Sequence, residues 1–145
     1  MYNGLLHAHS GLRWVVLILL LAAIFNAFSK KKSGVWTAKD KKISLFAMIF
    51  VHVQLLIGLV LYFISPKVSF TEGFMKDDLL RFYTIEHVLL MVVAIALITV
   101  GYSKSKKSAT DANKFGAVAR FYLVGLILIL GSIPWPFRDL GAGWF

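Results

Sequence analysis

The sequence predicts an all-α integral membrane protein, a single domain over residues 1–145 built as an antiparallel four-helix bundle with both termini outside. Three observations carry this. Hydrophobic residues make up 59% of the chain and mean hydropathy is +0.76, above the roughly 45–50% apolar share of a soluble domain. A small domain keeps a large share of its surface exposed, so a 145-residue globule cannot hide that much apolar area from water. Four apolar stretches punctuate the chain, three of them at or above the roughly 20 residues a spanning helix needs. The 16 Lys and Arg exceed the 7 Asp and Glu by +9, and that excess is confined to two of the connections.

The elements follow in order. The first span covers about residues 5–28 and is unbroken apolar from Trp14 to Phe25. It lacks a basic start and a small-residue cleavage site and carries His9 and Arg13, so it reads as a retained span and not a cleaved signal. The loop 29–42 holds six lysines against Asp40, a net of +5. The second span covers 43–64. The segment from Ser65 to Arg81 has room for a short interfacial turn or helix. The third span covers 82–102 and is followed by loop 103–120, whose four lysines and Arg120 against Asp111 give +4. The fourth covers about 118–136, most apolar from Phe121 to Trp135, and ends in Ile133-Pro134-Trp135-Pro136.

Alternation puts both basic loops on one side. Cytoplasmic loops carry the Lys and Arg excess, so the Lys-rich loops are expected on the cytoplasmic side. The lysines read as a topology signal that also attracts anionic headgroups. They lack the interleaved aromatics of a nucleic-acid surface, and no nucleic-acid partner is expected. Trp14, Tyr62, Phe82, Tyr83, Trp135 and Trp144 fall near the outer interface as an aromatic belt.

There are no cysteines. Disulfides, thiolate metal sites, Cys-ligated clusters, covalent haem attachment and a Cys nucleophile are therefore excluded. The chemistry that remains sits on ionisable and polar residues inside the spans, which are rare there and usually face the protein interior. They are His9, Arg13, His52, Gln54, Glu86 and His87, with His7 just outside. At about 1.5 Å per residue from the lysine side, His52 lies ~15 Å up, Gln54 ~18 Å, His87 ~24 Å, Arg13 and Glu86 ~25 Å, and His9 ~31 Å.

This layer suggests a b-type haem held by imidazole nitrogens. His9, His87 and His52 are the candidate iron ligands. His9 with His87 is the best match in depth, offset by ~7 Å, against ~9 Å for His52 with His87. Arg13 stands where propionates would lie. Glu86 could pair with Arg13 or accept a histidine N–H. Gln54 could donate to a quinone or join two helices, and Met91, one turn from His87, reads as packing. His7-Ala8-His9 is a weak metal motif. Gly58 and Gly101 read as small residues that let helices approach.

The run His7-Ala8-His9-Ser10-Gly11-Leu12-Arg13-Trp14 resembles the opening of small four-span bacterial membrane proteins described as cytochrome-b-like. Gln54-Leu55-Leu56-Ile57-Gly58-Leu59, Ile85-Glu86-His87 with Met91, and Ile133-Pro134-Trp135 extend the likeness over most of the chain. The resemblance implies a membrane bundle and a haem b. Three functions are compatible with these readings. The first is a haem b electron-transfer protein or small respiratory-complex subunit, exchanging electrons with quinone. The second is a cofactor-free accessory subunit. The third is a bundle conducting protons or small solutes. The expected partners are the lipid bilayer and other membrane or respiratory subunits, or further copies of the chain.

Overall fold

A computed structural model describes residues 1–145. Four helices are each long and apolar enough to cross a membrane: α1 (Tyr2–Lys30), α2 (Ala38–Ile64), α3 (Asp78–Lys107) and α4 (Asp111–Ser132). There is no strand. Each helix packs against the next, and α4 returns against α1, so the four form a closed square in which α1 and α3 stand on one diagonal. Both termini lie at the end opposite the Lys-rich loops. The outward side chains are apolar: Ile18, Leu21, Phe25, Leu56, Phe63, Leu89 and Ile127 are all more than half exposed. A helix that is apolar on every side needs lipid or protein around it.

The helices overrun the predicted spans because local caps set their ends. α2 begins at Ala38, not residue 43, where Thr37 and Asp40 form a capping box. Asp40 is fully buried and accepts from Thr37 N (2.9 Å), Thr37 Oγ1 (2.7 Å), Asn26 Nδ2 (2.9 Å) and Lys30 Nζ (2.7 Å). One carboxylate thus ties the end of α1 to the start of α2. α4 begins at Asp111, seven residues before the expected 118, with Thr110 Oγ1 capping Asn113 N. It stops at Ser132, not 136, because Pro134 pushes Ile133 out of helical geometry to ψ 130°. The expected tail of the fourth span is instead an extended strand of chain followed by a 3₁₀ turn, Pro136–Arg138. The 65–77 connection holds the anticipated turn at Phe74–Lys76.

The lysine half of the bundle is solidly filled. Leu20, Ala47, Ile98, Phe115, Val118 and Tyr122 are 0% exposed. Tyr122 crosses the interior from α4 and donates to Ser44 O on α2 at 2.7 Å. Trp36, from the first loop, packs edge-on to Phe115 with ring centres 4.8 Å apart. α3 and α4 come together at Gly125, where a Cβ would stand 2.7 Å from Ile98 Cγ1. Gly101 serves the same contact, 2.5 Å from Phe121 Cβ, as the small-residue reading predicts.

The other half is different. α3 carries one wide π-type turn, Phe82–Glu86, in which His87 N–H reaches back five residues to Phe82 O. Such turns are uncommon and concentrate at functional sites. Here the loosened Thr84 carbonyl accepts Tyr62 Oη at 2.9 Å from α2. Thr84 Oγ1 holds both the N–H and the carbonyl of Ser69. The wide turn is therefore stitched to its neighbours, and it sets the direction in which His87 leaves the helix.

Replacing Asp40 by Ala removes a carboxylate on which four donors converge. We expect a loss of about 3 kcal/mol of stability, read as a lower denaturation midpoint in detergent, with Asp111→Ala changing it by less than about 0.5 kcal/mol.

Candidate functional site

The half of the bundle that lacks a Tyr122 equivalent contains a cavity of about 190 Å³. Its walls are mainly apolar, among them Val16, Val51, Leu55, Leu59, Met91 and Ile129. The polar residues on it include His9, Arg13, Gln54, Tyr62, Lys67, Tyr83 and His87. An apolar pocket with a few convergent polar groups is the usual form of a ligand site.

His9 on α1 and His87 on α3 meet across the diagonal, with ring centres 6.4 Å apart and planes at 73°. This is the pair the depth ordering favoured. His87 Nδ1 lies 2.7 Å from Ser132 O. A carbonyl can only accept, so Nδ1 carries the proton and Nε2 keeps its lone pair. That nitrogen makes no hydrogen bond. Phe82 and Tyr83 flank the ring at 5.6 and 6.3 Å. His9 sits against Gly58 of α2, where a Cβ would come within 3.0 Å of His9 Cε1. Gly58 is therefore the gap into which the imidazole fits, and not only a packing glycine.

Three buried polar atoms have no partner: His9 Nδ1, Arg13 Nε and Gln54 Oε1. All three residues line the cavity. Native proteins leave few buried polar atoms unpaired, and three around one cavity mark a place shaped for something polar. Two neighbouring donors are engaged. Gln54 Nε2 donates to His9 O at 2.7 Å, so it joins α2 to α1 as the interhelical reading has it. Arg13 Nη2 donates to Trp144 O at 2.6 Å.

The other sequence candidates lie elsewhere. His52 is outside the cavity, with Nδ1 donating to Met48 O at 2.8 Å and Nε2 3.4 Å from Thr99 Oγ1. The structure does not bring it to His9 or His87. Glu86 is outside as well and does not meet Arg13. It pairs with Arg81 at 2.7 Å, because the wide turn puts that neighbour within reach on the same helix. His7 is exposed, two residues along from His9 and on another face, so the His-x-His pair does not converge. The aromatic belt is in part a cluster: Trp14, Trp135 and Trp144 pack together with centres 6.1–6.4 Å apart, and the Arg13 guanidinium lies 5.4 and 5.7 Å from the Trp14 and Trp135 rings.

The sequence reading missed Ser132, whose carbonyl fixes the His87 tautomer, and it missed Lys67 with the segment 140–145. Lys67 Nζ donates to Gly141 O at 2.5 Å and Tyr83 Oη to Leu140 O at 3.0 Å. Burial pushes the Lys67 pKa below its ordinary value. The signal that could have drawn notice to Lys67 is its position among a balanced set of charges, away from the lysine loops.

Two imidazoles that share one metal, at roughly 2 Å per bond, hold their ring centres roughly 6 Å apart, and the 6.4 Å between His9 and His87 is in that range. No third His, Asp or Glu joins them, so a metal held there needs ligands of its own, as a porphyrin supplies.

A Gly58→Val variant must move the His9 ring. We expect a loss of about 1–3 kcal/mol in unfolding stability, while Gly131→Val, where a Cβ meets nothing within 4 Å, changes it by less than half as much.

No protein-family model, curated protein or solved structure matches the chain.

Proposed function

We propose that the protein is a membrane b-type haem-binding electron-transfer protein, or the haem-carrying small subunit of a respiratory complex, with His9 and His87 as the residues that would hold its iron. The observation that carries this reading is the histidine pair: two imidazoles from diagonal helices, 6.4 Å apart, in the half of the bundle that side chains leave open. Haem b would supply a one-electron couple. The chain's own residues hold and orient. Ser132 O fixes His87 in the tautomer that offers Nε2 and raises its basicity. Gln54 clamps the backbone of His9, and Gly58 leaves its ring room. Arg13 brings a guanidinium with a free Nε to the same cavity. The apolar walls exclude water, which favours outer-sphere electron exchange with a membrane-soluble carrier such as quinone. His52 and Glu86 have no part in this assignment. The setting is a bacterial inner membrane with the Lys-rich loops cytoplasmic, which would put the cavity in the outer half of the bilayer.

The test is spectroscopic. The full chain purified from haem-replete cells should show a sharp reduced Soret and alpha band. His87→Ala and His9→Ala should each abolish or shift them, and His52→Ala should leave them unchanged. A colourless protein, or bands indifferent to His87→Ala and His9→Ala, rejects the assignment.

The orientation is tested separately, since the chain has no cysteine. In intact spheroplasts Glu72→Cys should react with an impermeant maleimide, and Lys106→Cys only after lysis. The opposite pattern would reverse the topology.

A further inference from the structure

Two cations line the cavity without an acidic partner. Arg13 is 7% exposed and its Nε is unpartnered. Lys67 is partly buried, 4.9 Å from the centre of the Tyr83 ring. The protein has four ion pairs, and neither residue takes part in any of them. Both donate instead to carbonyls of one short stretch: Lys67 to Gly141, Arg13 to Trp144 and, at 3.5 Å, to Gly143. A buried charge is costly unless it is paired, and a neutral carbonyl is a weaker partner than a carboxylate for the same donor.

The stretch that supplies those carbonyls is glycine-containing and largely exposed. Gly141 turns at φ 65° and Gly143 follows, and apart from Leu140 its residues are not buried. Gly141, Ala142, Gly143 and Phe145 line the cavity as a strap held to it through these carbonyls.

We propose that Arg13 and Lys67 form an anion site on the cavity wall, which takes the carboxylate end of an amphipathic ligand whose apolar body lies in the cavity, and that the strap's carbonyls occupy these donors until the ligand arrives. The planar guanidinium suits a carboxylate, and the apolar walls suit a largely apolar body. The site shares Arg13 and the cavity with the haem reading, and its propionate arm rests on that reading, whereas Lys67 and the strap do not depend on His9 or His87. Haem propionates and a fatty-acid carboxylate share the required chemistry.

The experiment compares acids with their neutral counterparts on the detergent-solubilised full chain: haemin against its dimethyl ester, and oleate against oleyl alcohol. At least one acid should bind roughly ten-fold or more tightly than its counterpart, and Lys67→Gln and Arg13→Gln should each remove most of that preference. Preference for haemin alone assigns the site to propionates, and preference for oleate assigns it to a lipid carboxylate; either upholds the proposal. Strap release is read in an Ala142→Cys variant, whose maleimide reactivity should rise several-fold when the acid binds. Lys67 lies in a connection outside the helices, so Lys67→Gln keeps the test sound if Arg13→Gln fails to fold. Equal binding of acid and neutral forms, no binding of either acid, a preference that survives Lys67→Gln, or an Ala142→Cys reactivity indifferent to bound acid overturns it.

Discussion

A four-helix bundle must fill its own axis. Helices on the diagonal are too far apart to touch backbone to backbone, so whatever occupies the centre has to be reached by side chains from opposite corners. In the lysine half that task falls to Tyr122, which spans from α4 to the Ser44 carbonyl on α2, with Phe115 and Ile98 beside it. In the other half it falls to His9 and His87, which span the other diagonal and leave a cavity around them. The change from a phenol to an imidazole pair at the axis is what separates a packed core from a site.

The rest of the upper half answers to that pair. The wide turn at Phe82–Glu86 sets the angle of His87, and Tyr62 and Ser69 secure the turn. Ser132 lies at the last residue of α4, and its carbonyl is available to His87 because Pro134 ends the helix there. The helix stop that shortens the fourth span thus supplies the hydrogen bond that selects the histidine tautomer. On the other side, Gln54 and Gly58 lie one turn apart on α2, the first holding the backbone of His9 and the second accommodating its ring.

Much of this was legible in advance. The spans, the bundle and the separation of lysine loops from a neutral opposite end follow from residue order, because hydropathy and charge act locally. The preference for His9 with His87 followed from counting residues along helices whose rise is fixed. Other features were out of reach. Glu86 turned to Arg81 because of a π-type turn, which has no pattern of its own in sequence. The strap was invisible because its contacts join residues more than 50 positions apart, such as Lys67 with Gly141 and Arg13 with Trp144. Each is a side chain bonded to a backbone carbonyl, and any residue type supplies that carbonyl.

The sequence by itself determined that this is a cysteine-free, four-span helical protein with its excess charge on one side. Those properties depend on composition and period. Only the tertiary structure decided which polar groups share one cavity, which of their donors are already used and which atoms are left without partners. Hydrogen-bond satisfaction depends on distances of a few tenths of an ångström between helices, and those are fixed by packing at positions such as Gly58 and Gly125, not by the order of residues along any one helix.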